Sequence, residues 1–172
     1  MKSKQDVFLE LYEPIHDRFE RFCRARVYGT MEHSDLMNDT LLIAFKKMET
    51  LQSKDAFLSF LFGICVRVLS NHNQKIREER FSNDDNSSIM DQSQNTDLDT
   101  DIHYLYKSLG QLSDDQRESI ILFEISGFSI KEIATIQNAS EDAVKQRLKR
   151  GREKLTRIMT FESIRKTGGK NE

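Results

Sequence analysis

An acidic segment near the middle of the chain constrains the fold more than any other feature of the sequence. Residues 82–101 read SNDDNSSIMDQSQNTDLDTD and contain six aspartates, no Lys or Arg and very few large apolar side chains. Such a composition cannot bury enough apolar surface to offset the entropy lost on ordering. We therefore expect a flexible acidic linker that divides the 172 residues into two parts, each long enough for one small domain.

Apolar residues recur at helical spacing on both sides of this segment. In the N-terminal part, Pro14 predicts a kink or a new start, and Ser34 is expected to cap the next helix. Residues 57–69 are apolar nearly all round, which is typical of a helix buried between neighbours. With one Pro and seven Gly, the chain has few turn signals for a many-stranded sheet. The sequence predicts an all-α fold of two small helical domains.

In the C-terminal part, two helix starts are marked by capping-box spacing. Ser113 is followed by Gln116, and Ser129 is followed by Glu132. Gly127 lies between these two signals and suits the end of the first helix. This part is therefore predicted to contain several short helices separated by tight turns.

Residues 129–155 have the pattern of a helix-turn-helix. Ala134 is small where the two helices would cross, Asn138 tolerates the positive φ of the turn, and Val144 would anchor the second helix. Residues 145–157 hold seven Lys or Arg against one Glu, and the chain without the six linker aspartates carries +4 instead of −2. A helical hairpin with a solvated charged face is the competing interpretation. The small residue, the turn Asn, the caps and the positive charge together favour DNA binding.

The remaining residue types predict neither a metal centre nor catalysis. Cys23 and Cys65 lie in apolar periodic segments and form no CxxC pair, so we expect buried free thiols in a reducing cytoplasm. The four histidines have no metal-ligand spacing, and no nucleophile–base pair or phosphate loop is present. The chain start is not a signal peptide, and residues 57–69 are too short to cross a membrane. We expect a cytoplasmic protein that is not an enzyme and needs no cofactor.

Three segments resemble a known family. LSDDQRESIILFEISGFSIKEIATIQNASEDAVKQRLKRGREKL (112–155) is similar to the C-terminal promoter-binding domain of bacterial sigma factors, most of all the small extracytoplasmic-function group. DLMNDTLLIAFKKM (35–48) resembles that family's polymerase-docking helix, DLVQETFLRAW. DAFLSFLFGICVRVLSNHNQKIR (55–77) resembles its promoter-melting helix, FRTWLYRIARNVAIDHLRR. The two halves and their order cover nearly the whole chain.

The resemblance implies an arrangement of domains. Residues 1–80 would form the docking and melting domain, 81–101 the linker, 102–162 the helix-turn-helix domain and 163–172 a disordered tail. The implied partners are bacterial core RNA polymerase, promoter DNA and an anti-sigma protein lying between the two domains.

The resemblance also implies three sets of site residues. Those facing the clamp helices of the largest polymerase subunit would be Asp35, Asn38 and Asp39. Those contacting melted promoter DNA, with the loop 49–55 taking a flipped base, would be Lys54, Arg67, Asn71, Lys75 and Arg77. Those on the recognition helix, in the major groove of the upstream promoter element, would be Glu141, Asp142, Lys145, Gln146, Arg147, Lys149, Arg150 and Arg152.

The sequence departs from the family pattern at several positions. Phe60 stands where the family has Trp, Asp39 where it has Glu, and Arg67 where most members have Asn. Gln137 and Asn138 replace a Leu-Gly pair. These differences bear on base preference more than on fold.

Two questions stay open at the level of sequence. The chain is interpreted as a dissociable promoter-specificity subunit of RNA polymerase, and the alternative is a stand-alone helix-turn-helix regulator with a helical sensing or dimerisation domain. The linker aspartates are either a soluble tether or a phosphate mimic that occupies a basic channel of the polymerase.

Overall fold

The computed structural model describes residues 1–82 and 100–168, with side chains as far as residue 161. The segment 83–99 and the residues 169–172 lie outside the described residues, and with them most of the predicted linker and the end of the predicted tail. All regular structure within the described ranges is helical. The predicted all-α fold with two helical domains is confirmed.

The N-terminal half consists of four α-helices. They are α1 (Lys4–Tyr12), α2 (His16–Val27), α3 (His33–Lys46) and α4 (Phe57–Ser82). Pro14 lies in a short 3-10 turn, Glu13–Ile15, that separates α1 from α2, as the sequence predicted. The prediction that Ser34 caps α3 is wrong. The helix begins at His33, two residues earlier than a cap at Ser34 would require, and its N-cap residue Glu32 makes no side-chain cap.

The C-terminal half also contains four α-helices. They are α5 (Thr100–Leu109), α6 (Asp114–Ile120), α7 (Ile130–Ile136) and α8 (Glu141–Gly168), and α6 continues into a π-helical turn, Ile121–Ile125. Ser129 and Glu132 form the predicted capping box at the start of α7. Ser113 does occupy the N-cap of α6, but its side chain makes no capping hydrogen bond, so the capping box predicted with Gln116 is absent. Helix α8 runs into the segment that was predicted to be a disordered tail.

The core of the N-terminal half is rich in aromatic side chains. Phe62 on α4 is fully buried and packs against Phe19 and Phe22 of α2, at ring-centroid distances of 5.4 and 5.1 Å. Cys23 and Cys65 are buried free thiols in the same core, as predicted. Burial and the nearby Cys65 thiol raise the pKa of Cys23, so this thiol stays protonated at neutral pH.

The two halves pack directly against each other. Phe128, from the loop before α7, lies edge-on to Phe62 with 4.8 Å between ring centroids. Arg18 of α2 also packs on Phe128, with its guanidinium carbon 4.3 Å from the ring centroid. Its Nε donates a hydrogen bond to the Ser126 carbonyl at 2.5 Å. Buried side chains of both halves therefore form one continuous hydrophobic cluster.

Candidate nucleic-acid interface

The turn between α7 and α8 has the geometry that the sequence pattern predicted. Asn138 has a φ of +49°, the only positive φ at a non-glycine residue in the described ranges. The backbone N–H of Ala139 then donates to the Ala134 carbonyl at 2.9 Å, which closes the turn. The Ser140 hydroxyl accepts from the Ala143 N–H at 3.1 Å and so caps the start of α8. The helix-turn-helix is thus fixed by local hydrogen bonds.

One side of α8 is held in the core of the C-terminal half. Val144 and Leu148 are buried, and Gly151 follows one turn later at the crossing with α6. A Cβ added at Gly151 would lie 2.7 Å from the Cδ1 atom of Ile120, so the two helices are in very close contact there. This crossing fixes the direction in which the opposite face of α8 points.

The exposed face of α8 carries polar side chains that are free to meet a ligand. Gln146, Lys149 and Arg150 are exposed and make no hydrogen bond or ion pair with any residue of the described ranges. Their spacing of three and four residues places them on one side of the helix. Glu141 and Asp142 are exposed in the first turn, where Asp142 pairs with Lys145 at 3.4 Å.

Two arginines predicted to contact DNA are held by other side chains of their own domain. Arg147 pairs with Asp115 of α6 at 3.2 Å and donates to the Gln137 side-chain oxygen at 2.9 Å. Arg152 makes two hydrogen bonds to Glu124, at 2.9 and 2.6 Å. Both carry a positive charge near the recognition surface, but each must leave a partner or share it to meet a phosphate.

Helix α3 presents a second free surface in the N-terminal half. Asp35, Asn38 and Asp39 are exposed on one face, and the two carboxylates form no ion pair with the described residues. Leu42 lies on the same face and is 54% exposed. The sequence analysis did not single out Leu42, although its spacing from Asn38 and Asp39 would have placed it there.

The residues predicted to contact melted DNA are only partly brought together. Arg67, Asn71 and Lys75 are exposed and follow one another at intervals of four residues, so they form a stripe along α4. Lys54 lies before the start of α4, whereas Arg67 lies ten residues into this helix, or roughly 15 Å along its axis. Arg77 projects from another face of the helix into the cleft between the two halves.

A buried polar network connects the two halves and was not predicted from the sequence. Arg26 of α2 is 4% exposed and meets two carboxylates of α6, Asp114 at 3.3 Å and Glu118 at 3.7 Å. Arg117 of α6 is 7% exposed, and one of its amino groups donates to the Arg26 carbonyl at 2.7 Å. Gln137 donates to Glu118 at 2.8 Å, which joins the network to the helix-turn-helix.

The charges in this network are strongly affected by burial. Burial and the neighbouring Arg26 together lower the pKa of Arg117 to about 10. Burial raises the pKa of Glu118, and Arg26 and the Gln137 hydrogen bond act in the opposite direction. The network therefore depends on each partner being present, because a buried charge without a partner is costly.

One group of side chains in the described ranges brings three possible metal ligands together. His16, Asp17 and Glu20 lie at the start of α2 with their ligand atoms within 4.8 Å of one another. Glu20 is already hydrogen-bonded to Arg24, at 2.7 and 3.1 Å, and Arg24 is the main cause of the lowered pKa of Glu20. The geometry thus describes a surface ion pair, and a cation at this position would have to displace Arg24.

Comparison with known proteins shows which proteins the chain is similar to. Residues 102–155 match the family described as "Sigma-70, region 4". The chain is 24% identical over 157 residues to the RNA polymerase sigma factor CarQ of Myxococcus xanthus, covering 90% of each chain. It is 26% identical over 126 residues to the ECF RNA polymerase sigma factor EcfG of Rhodopseudomonas palustris, covering 73% of this chain and 70% of the relative.

The solved structures agree with the sequence comparisons. The sigma factor RpoE of Bartonella quintana, solved in complex with the anti-sigma factor NepR, superposes with a TM-score of 0.72 at 25% identity. The match covers 88% of this chain and 98% of that one, so it includes both helical halves. The likeness to extracytoplasmic-function sigma factors of RNA polymerase therefore extends over both helical halves of the chain. In the residues that the structure covers, no helix has the length and apolarity needed to span a bilayer.

Proposed function

We propose that the chain directs core RNA polymerase to specific promoters and helps to melt them when transcription starts. The observation that carries this proposal is the presence of two free charged surfaces on different halves of one chain, an acidic face on α3 and a basic face on α8. A stand-alone regulator needs only the second surface. The relatives are also matched over 70% or more of this chain, so the N-terminal half is part of the likeness.

The acidic face of α3 is proposed to dock on the polymerase. Asp35, Asn38 and Asp39 lie on the same face of α3 as the exposed Leu42, so a partner with a basic, partly apolar surface is the chemical complement. Because the two carboxylates are unpaired within the described residues, binding would not first have to break an internal ion pair.

The exposed face of α8 is proposed to read the upstream promoter element. Gln146 lies where a side chain can meet base edges, and Lys149 and Arg150 lie where they can meet phosphates. In the same proposal, the α4 stripe of Arg67, Asn71 and Lys75 contacts unpaired bases of the melted element. Lys54 and Arg77 would join that contact only after the DNA or the protein has moved.

The family assigns partners that the proposal extends to this chain. It would act in the cytoplasm, where its polymerase is, as a regulatory subunit without catalysis of its own. An anti-sigma protein would hold it inactive, as NepR is bound to RpoE in the solved complex. For such a partner to lie between the two domains, as expected from the sequence, the contact between Phe62 and Phe128 would have to open.

The test is association with purified bacterial core polymerase, followed by transcription in vitro on a promoter library. Changing Asp35 and Asp39 to Asn should weaken association by about tenfold, equivalent to ~1.4 kcal/mol. Glu13→Gln with Asp17→Asn is the matched control, because these two carboxylates are exposed on the same half but away from α3. The wild-type chain failing to bind core polymerase would exclude the proposal.

A further inference from the structure

The start of helix α6 carries three carboxylates that lie between the N-terminal half and the recognition helix. We define the α6 acidic cluster as Asp114, Asp115 and Glu118. The side chains of Asp114 and Asp115 are 57% and 67% exposed, whereas Glu118 is 8% exposed. All three line one cleft of about 680 Å³ between the two halves.

In the N-terminal half, the cluster makes hydrogen bonds to helices α2 and α4. Asp114 accepts a hydrogen bond from Arg26 of α2 at 3.3 Å and another from the Asn73 side chain of α4 at 3.2 Å. Arg77, one of the residues proposed to contact melted DNA, lines the same cleft. This arginine is exposed and makes no ion pair with the α6 carboxylates, so the contacts of the cluster with the N-terminal half are those to Arg26 and Asn73.

On its C-terminal side, the cluster reaches the recognition helix. Asp115 pairs with Arg147 at 3.2 Å, and Glu118 is joined to Arg147 through Gln137, which bonds both residues. Gln137 stands where the family has Leu, an apolar residue that cannot make these bonds. The connection from α8 to α6 is therefore built from a residue that departs from the family pattern.

We propose that the α6 acidic cluster is an internal competitor for DNA, which holds the two halves closed through Arg26 and Asn73 and occupies Arg147 of the recognition helix until the promoter or the polymerase displaces it. This inference rests on the proposed function. Its physical basis is that a carboxylate beside an arginine takes the place that a DNA phosphate would take. Opening the halves exposes the Phe62–Phe128 contact to water, so the closed form is favoured until a ligand compensates.

The distance between the halves tests the closing role. Fluorescent labels are attached to Ser53→Cys in the N-terminal half and Lys154→Cys in α8. Both positions are exposed, while the native thiols Cys23 and Cys65 are buried. Asp114→Asn removes the charge that faces Arg26 and keeps the side-chain size, so energy transfer between the labels should fall. Asn73→Ala removes one contact of the same carboxylate without changing any charge, and it should shift transfer in the same direction by less.

Binding to mixed-sequence duplex DNA tests the competing role. Asp114→Asn should bind roughly fivefold more tightly or better than wild type, the lower end of what coupled equilibria give. Asp115→Asn frees Arg147 alone and should raise affinity with energy transfer unchanged. The control is Glu153→Gln on α8, which removes one exposed negative charge at a residue that does not line the cleft.

Each result decides the matter. Low energy transfer in the wild type, or unchanged transfer in Asp114→Asn, overturns the closing role and leaves Asp114 as a charge that only complements the start of a helix. Opening without a gain in affinity beyond that of Glu153→Gln overturns the competing role. Failure of the wild type to bind core polymerase would instead reject the proposed function, and the energy-transfer measurement would still report on the contact between the halves.

Discussion

The rings of Phe62 and Phe128 meet at a centroid distance of 4.8 Å and join the N-terminal half of the chain to the C-terminal half. Phe62 is completely buried and Phe128 is 2% exposed, so the contact is as dry as the centre of either half. Polar bonds of Arg18 and Arg26 also connect the two halves, so the junction combines an apolar contact with charged ones.

Phe128→Ala should destabilise the protein by roughly 3–5 kcal/mol, because it leaves a cavity against Phe62 and removes the ring under Arg18. Urea unfolding at neutral pH measures the loss. Phe161→Ala is the control, since that ring is 63% exposed and its removal should change stability by less than about 0.5 kcal/mol. A cost for Phe128→Ala no larger than that of the control would mean that the halves are not packed in solution.

Gly151→Val should destabilise the helix-turn-helix domain by roughly 1–3 kcal/mol. The added side chain would meet Ile120, whose Cδ1 atom lies 2.7 Å from the position of a Cβ, and Ile120 is only 3% exposed. Thermal unfolding of the full chain checks this. Adding Ile120→Ala to Gly151→Val should recover part of the lost stability, because it makes room for the valine. The control is Lys154→Val at an exposed position of α8, which should cost only the difference in helix propensity, within ~0.7 kcal/mol.

Lys149→Ala with Arg150→Ala should weaken binding to all DNA sequences and flatten the salt dependence. Each lost phosphate contact lowers the slope of log affinity against log salt by about 0.9. Fluorescence anisotropy at several salt concentrations gives both quantities. Lys47→Ala with Lys107→Ala removes the same charge elsewhere on the surface, and a similar change of slope in that pair would remove the special role of the α8 face.

Gln146→Ala should change which sequences are preferred rather than how tightly DNA in general is held. A bidentate contact between a side-chain amide and a base is worth roughly 1–3 kcal/mol of discrimination. Selection of upstream elements from a randomised library, with the wild type and the variant in parallel, shows the change. Equal losses on selected and random DNA would contradict a base-reading role for Gln146.

Glu132→Gln should lower stability at neutral pH and lose its effect in acid. Hydrogen bonds from the Ser129 backbone N–H and hydroxyl, each of 2.8 Å, lower the pKa of Glu132 below its ordinary value of 4.5. The ionised carboxylate therefore stabilises the fold above that value, and the contribution disappears as pH falls through the lowered pKa. Urea midpoints at neutral and acid pH measure the difference. A difference in urea midpoint that persists in acid would mean that the amide of the variant disturbs α7, and not that the lost carboxylate charge causes the effect.

The sequence predicted the parts of this protein that depend on short-range order. Helical spacing, Pro14 and the Ser129–Glu132 pair fix where helices begin and break, and Asn138 adopts the positive φ that its position in the motif requires. The failures were also local. Ser34 lies inside the first turn of α3 and cannot cap it, and Ser113 has the extended backbone of an N-cap residue but makes no side-chain capping bond.

Side-chain identity alone did not reveal how the surfaces are used. Arg77 and Arg147 have the charge of DNA contacts, yet one lines the cleft and the other pairs with Asp115. No spacing rule connects residue 26 to residue 114 or 117, because these pairs are made only when α2 and α6 pack together.

The amino-acid sequence by itself determined the helices, the two halves, the helix-turn-helix and the resemblance to sigma factors, since each depends on neighbours a few residues apart and on the type of each side chain. Only the tertiary structure decided that Phe128 packs on Phe62 and that the carboxylates of α6 meet arginines of both halves. Those contacts join residues that are far apart in the chain. Many arrangements of the helices share the same local pattern, and the free energy gained by burying apolar surface and pairing buried charges selects one of them.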